Sequence, residues 1–172
     1  MARIPALSIG QAPASAQTSL HAVEKAMGFL PNMFKTLAHS PAAVGAYLQA
    51  QQQLAKGELR APEREIVALA VSQVSECEYC LAAHSLFAGK AGLSDVEIRA
   101  ARNGEGSAIA KLASQIAQKR GRVSDADLAA ARAGGLTDSK IVEIVAVAAQ
   151  LTFTNYLNNL AATDVDFPAV PA

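Results

Sequence analysis

Apolar positions in this chain recur at helical spacing, and turn residues interrupt them at regular intervals. The first such segment covers about 14–27 and stops at Gly28. Pro31 opens a short one through about His39. Pro41 fits the first turn of a third, with Ser40 as its cap, and this one runs to about Lys56 before Gly57. Pro62 starts a fourth, through about Ser75. After a break, a fifth carries Cys80 and His84, reaches Lys90 and ends around Gly92. Ser94 followed three residues later by Glu97 is a capping-box pattern for a short sixth helix ending near Asn103. Ile109, Leu112 and Ile116 mark a seventh ending at Gly121, and Ser124 caps an eighth through about Ala133. The last and longest runs from about Asp138 to Ala162. No stretch alternates apolar and polar residues well enough to make a strand, so one all-α domain is expected over residues 1–172. Residues 1–13, with Pro5, Gly10 and Pro13, are expected to run extended over the surface. Residues 164–172, with Pro168 and Pro171, read as a loose tail.

Two segments are apolar on most sides. Between Glu65 and Glu76 no residue is charged, which predicts a buried helix. From Ile141 to Thr163 the only charge is Glu143. That length suffices to cross a membrane, but Gln150, Asn155, Asn158 and Asn159 spread polar groups through it and no basic cluster flanks it. A central or subunit-interface helix is the better reading. Shifting the chain by 78 residues lays Glu65–Ala70 on Glu143–Ala148, Cys80 on Asn158 and His84 on Ala162, as in a weakly duplicated helical unit. Chance similarity between two Ala/Val-rich helices is the competing explanation.

Half of the residues, 51%, are hydrophobic and only 5% aromatic, a filling suited to tightly packed helices. The 15 basic and 15 acidic residues balance, with no long block of either sign, so neither a nucleic-acid nor an anionic-membrane partner is expected. Residues 1–16 show no secretion signal, and a cytoplasmic location is the default expectation.

The chemistry concentrates at Cys77-Glu78-Tyr79-Cys80-Leu81-Ala82-Ala83-His84, which holds the only two cysteines. On a helix, His84 lies one turn beyond Cys80 on the same face. One reading is a redox dithiol, with the helix start and the imidazole favouring a thiolate. A second is a zinc site of Cys77, Cys80 and His84, which lacks a fourth strong ligand unless Glu65 supplies it. A third is inert burial of two small apolar side chains. A carboxylate at Glu65, near the start of an uncharged helix, sits either at an exposed end or in a site. Tyr79 reads as a packing residue first and a hydroxyl donor second. His21 and His39 receive no role.

Glu65, eleven residues, then Cys77-x-x-Cys80-x-x-x-His84 resembles the signature of the AhpD-like alkyl hydroperoxidase branch of the carboxymuconolactone decarboxylase superfamily. Phe29-Leu30-Pro31-Asn32-Met33-Phe34 and Ser40-Pro41 are similar to family sequence as well, so the resemblance spans roughly residues 30–160. It implies an AhpD-like helical bundle, assembly as a homo-oligomer (trimer or hexamer), and thiol-dependent peroxide reduction without metal or flavin cofactor. It also implies that Cys80 attacks the peroxide, Cys77 resolves, and His84 with Glu65 relays protons, His84 taking the Cys80 proton directly or through water. The partners would be a small-molecule peroxide and an external thiol or dithiol, such as a lipoyl-type group. Well-studied members carry a second histidine where this chain has Tyr79, a departure that bears on the strength of the activity. From the residues themselves, the helix start favours Cys77 as the more acidic thiol and His84 favours Cys80; the histidine is expected to prevail. Two other classes share this framework: an acid/base enzyme of the carboxymuconolactone decarboxylase type, and a non-enzymatic redox-responsive assembly module.

Overall fold

A computed structural model describes residues 2–169. Among them are nine α-helices and no strand: α1 (Ala14–Met27), α2 (Asn32–Leu37), α3 (Pro41–Leu54), α4 (Ala61–Val74), α5 (Glu78–Lys90), α6 (Asp95–Arg102), α7 (Ala108–Lys119), α8 (Asp125–Ala133) and α9 (Asp138–Ala161). The expected all-helical fold is what the chain adopts. Starts are set by side chains that accept from the first free backbone amides: Ser40 before α3, Ser94 before α6, Ser107 before α7, Ser124 before α8 and Thr137 before α9.

Helix α4 occupies the centre, in contact with α5, α6, α7 and α9. Its run Val67-Ala68-Leu69-Ala70-Val71 is at most 1% exposed, as an uncharged helix should be. One layer of the core joins α4 to α7 and α9 through Val67, Val71, Leu112, Ile144 and Val147. A second joins α1, α2 and the start of α3 to Cys77, Tyr79 and Cys80 at the head of α5. The cysteines therefore sit inside the second core, not on the surface. Helix α9 is central along one face, while its other face exposes Val142, Val145, Phe153, Tyr156 and Leu160. No helix among the described residues is long and apolar enough to cross a membrane.

The register of the 78-residue shift has a structural consequence. Where α4 and α5 are broken by Ser75, Glu76 and Cys77, the corresponding part of α9 is one continuous helix. The break closes by bonds from Glu76 N to Gln73 O (3.1 Å) and from Cys77 N to Ser72 O (3.1 Å), a Schellman pattern. Glu76 occupies its left-handed position at φ 51°, where glycine is the usual residue. That turn delivers Cys77 to the N-cap of α5.

Both chain ends depart from expectation. Residues 1–13 were expected to be extended, but Ile9–Gln11 form a 3-10 turn and Ala12 is buried. Arg3 N and Ile4 N donate to Ala161 O, and Leu7 N donates to Lys35 O, so the arm is fastened to α9 and α2. The tail expected to be loose is docked through residue 167: Asp164 and Asp166 bond to Asn32, and Phe167 packs among Phe29, Tyr79 and Phe87. Polar anchors and an aromatic plug outweigh what its two prolines suggested. Pro171 and the rest of 170–172 lie outside the described residues.

Candidate functional site

Six helices and the C-terminal segment converge on one cavity of about 630 Å³. Helix α5 contributes Cys80, His84 and Phe87, α4 contributes Glu65, α3 contributes Tyr47, and α9 contributes Thr154 and Asn158; Phe167 closes one side from the C-terminal segment. The remaining lining is mainly apolar, including Met27, Met33 and Phe34. Such a volume suits a small organic ligand.

The two cysteines are a close pair. Their Sγ atoms lie 2.6 Å apart and both are free thiols. Cys77 is fully buried and Cys80 is 3% exposed, and of the two only Cys80 lines the cavity. As N-cap of α5, Cys77 Sγ accepts from the Cys80 backbone amide at 3.3 Å. Cys80 Sγ accepts from Asn158 Nδ2 at 3.2 Å. The Asn158 side chain is itself buried, and its Oδ1 has no hydrogen-bond partner among the described residues.

This geometry separates the two thiols. The bond from the Cys80 thiol is the largest influence holding Cys77 below the ordinary thiol range. Burial works against it, and the Cys80 and Tyr79 amides with Asn158 assist. Cys80 is pushed up, first by that same bond to Cys77, then by burial and by the Cys77 charge; Asn158 and Thr154 oppose the rise. The pair therefore titrates as a unit, with the first proton leaving the Cys77 side. The expectation that His84 would make Cys80 the more acidic thiol is corrected here. The Cys80 sulfur bonds to Cys77 and Asn158, and no direct hydrogen bond links it to His84 among the described residues.

Instead, His84 Nδ1 lies 2.8 Å from Glu65 Oε2, each side chain about one-fifth exposed. An ionised carboxylate can only accept, so the bond places a proton on Nδ1, and in the neutral imidazole Nε2 is then the acceptor. Glu65 is thus in the site and not at a free helix end. Cys77 with Cys80, and His84 with Glu65, form two separate pairs, of which Cys80, His84 and Glu65 line the cavity. The zinc alternative loses its ligand set, because no group of three or more His, Cys, Asp or Glu side chains among the described residues is arranged to hold a metal ion.

Three further residues belong to the site. Asn158 was visible in the sequence only as a polar interruption of α9 and as the counterpart of Cys80 in the 78-residue shift. Tyr47 carried no signal at all. Its phenol is raised by burial first, and by the Cys80 and Glu65 charges, so it stays protonated in the cavity. Tyr79 packs, as expected, yet its hydroxyl is also used: it accepts from Met33 N at 3.1 Å and donates to Asp166 Oδ1 at 2.8 Å, away from the sulfurs.

Residues 41–110 match the model of the carboxymuconolactone decarboxylase family, a span that includes Glu65, both cysteines and His84. No curated protein matches the sequence. Among solved structures, the chain is similar to an uncharacterized peroxidase-related protein from Ralstonia eutropha with an alkylhydroperoxidase AhpD core. The two are 25% identical over 96% of this chain and 92% of that one, with a TM-score of 0.75. A peroxidase-related protein from a Silicibacter species is 21% identical over 94% of this chain and 88% of its own, TM-score 0.69. The debrominase Bmp8 shares the fold at 18% identity over 95% and 91%, TM-score 0.78. The fold is AhpD-like, and within it residues 41–110 are similar to the carboxymuconolactone decarboxylase family.

Proposed function

We propose that the protein is a thiol-dependent peroxidase that reduces organic hydroperoxides or hydrogen peroxide through Cys80 and Cys77. The observation that supports this reading best is the buried sulfur pair, 2.6 Å apart, with one member facing an apolar cavity that also holds the His84–Glu65 pair. Once the first proton has left, the pair shares the second. Moving it from Cys80 to Cys77 exposes a Cys80 thiolate to the cavity without bringing charge from water. Cys80 Sγ then attacks the peroxide O–O bond: an S–O bond forms, the O–O bond breaks, and the leaving alkoxide takes a proton to depart as alcohol. His84 and Tyr47 are the groups placed to manage that proton. The Cys77 sulfur attacks the resulting sulfenic acid, an S–S bond replaces the S–O bond, and water leaves. An external dithiol supplies two electrons and two protons to restore the pair.

Asn158 acts on the reacting atom. Its Nδ2 holds Cys80 Sγ, and its free Oδ1 is an acceptor for the hydroxyl of a sulfenic acid formed there. The test is peroxide consumption with a dithiol such as dihydrolipoamide as reductant. Cys80→Ser abolishes turnover, and unchanged consumption by that variant removes the proposal. Dependence on His84 and Glu65 but on neither thiol would reassign the protein to acid/base chemistry.

A further inference from the structure

We infer that residues 163–167 form a substrate-selecting wall, and that Tyr79 and Asp166 are the positioning residues that latch it. Helix α9 ends beside the site at Asn158. Ala162, at φ 49°, turns the chain back, and Thr163 N donates to Asn158 O at 3.1 Å. The strap then brings Phe167 to the cavity and is fixed by three hydrogen bonds. Asp164 O accepts from Asn32 Nδ2 at 3.0 Å, Asp166 Oδ2 accepts from Asn32 N at 2.7 Å, and Asp166 Oδ1 accepts from the Tyr79 hydroxyl at 2.8 Å. Tyr79 lies between the two cysteines in sequence, so the latch is built on the same turn of helix as the reactive pair.

What the latch positions is Phe167, which lines the cavity. Its ring meets Phe29, Tyr79 and Phe87 edge-on at 5.6, 5.5 and 5.6 Å, and Phe87 in turn meets His84 at 5.9 Å. This is an apolar surface facing the site, and hydrogen peroxide has no carbon to place against it. A hydroperoxide with an apolar, ring-sized tail does. The wall therefore selects apolar organic hydroperoxides through binding, while the chemistry at Cys80 is common to all peroxides. The selection rests on the peroxidase reading for its turnover arm only.

Turnover of cumene hydroperoxide and of hydrogen peroxide is compared in the wild type, Phe167→Ala, Tyr79→Phe and the double variant. Phe167→Ala lowers the ratio of kcat/KM for cumene hydroperoxide to that for hydrogen peroxide about tenfold, through KM and not kcat. Tyr79→Phe keeps the ring but removes the latch, and lowers the same ratio about threefold. The double variant is no worse than Phe167→Ala alone, because both release one wall. An unchanged ratio, or additive effects in the double variant, overturns the proposal. A second arm needs no turnover: binding of cumyl alcohol to the Cys80→Ser protein, with and without Phe167→Ala. Weaker binding in the alanine variant supports the wall, and equal binding overturns it. A wild type that consumes neither peroxide removes the proposed function, and the alcohol-binding result then decides the wall by itself.

Discussion

Asn158→Leu separates chemistry from folding at a residue that donates to the Cys80 sulfur. Leucine keeps the approximate volume but removes both polar atoms of the amide. On the stability side, one hydrogen bond to sulfur is lost, worth about 1 kcal/mol. An unpartnered buried acceptor, Oδ1, disappears with it, and leaving such an atom unsatisfied costs about 1–3 kcal/mol. The two effects nearly cancel, so thermal stability is unchanged or slightly raised. On the chemical side there is no such compensation. Asn158 favours ionisation at both sulfurs of the pair, and a hydrogen bond to a charged acceptor contributes about 1.5–3 kcal/mol, with sulfur at the lower end. Loss of about 1.5 kcal/mol raises the thiol titration by roughly one unit and slows thiolate reactions about tenfold at neutral pH. The assay is the pH profile of iodoacetamide labelling followed by mass spectrometry, beside the melting temperature. A labelling profile that coincides with the wild type, or a fall in stability of more than about 2 kcal/mol, refutes the reasoning.

Glu65→Gln removes the ionised acceptor of His84 Nδ1, so peroxide kcat should fall about 10- to 100-fold with little change in melting temperature; equal activity would free His84 of its partner. Cys77→Ser leaves oxidised Cys80 without its resolving thiol, and a sulfenic acid trappable by dimedone should accumulate at Cys80; its absence assigns the attack elsewhere. Burial works to raise Glu63, but Lys140 at 2.8 Å and the backbone and side chain of Arg60 outweigh it and hold the carboxyl at about 2 against an ordinary 4.5. Because the folded value is depressed, this stabilisation is present above pH 4.5 and is lost as pH falls toward 2. It amounts to about 2 kcal/mol after allowance for solvent around the exposed Arg60. Lys140→Met should flatten the melting-temperature curve across that window, and a curve parallel to the wild type contradicts the assignment. Glu76→Gly relieves a left-handed φ and should be neutral to stabilising by up to about 1 kcal/mol in chemical denaturation, whereas clear destabilisation would mean the Glu76 side chain holds the turn.

Most of the helical frame was legible because its signals are local. Ser40-Pro41, Ser94 with Glu97, and Ser124 each mark a helix start through a side chain that serves its own backbone, and the structure places helices there. The uncharged run after Glu65 foretold the central helix for the same reason. The site was legible only in part. Cys77, Cys80 and His84 share one helix start, so spacing brings them together, but spacing does not fix where a side chain points. His84 turns to Glu65 nineteen residues earlier, and the contact Cys80 makes instead is to Asn158, on a helix far along the chain. Long-range contacts of this kind have no local pattern. The docked tail is the same case: Pro168 predicts an absence of helix, while Asp166 and Phe167 find partners on α2 and α5 that no window of sequence contains.

Intact-mass spectrometry after one equivalent of peroxide tests the central claim most directly. The wild type should lose the two thiol hydrogens as Cys77 and Cys80 close to a disulfide, and dihydrolipoamide should restore the original mass. A stable gain of oxygen without disulfide, or no change of mass at all, would contradict it.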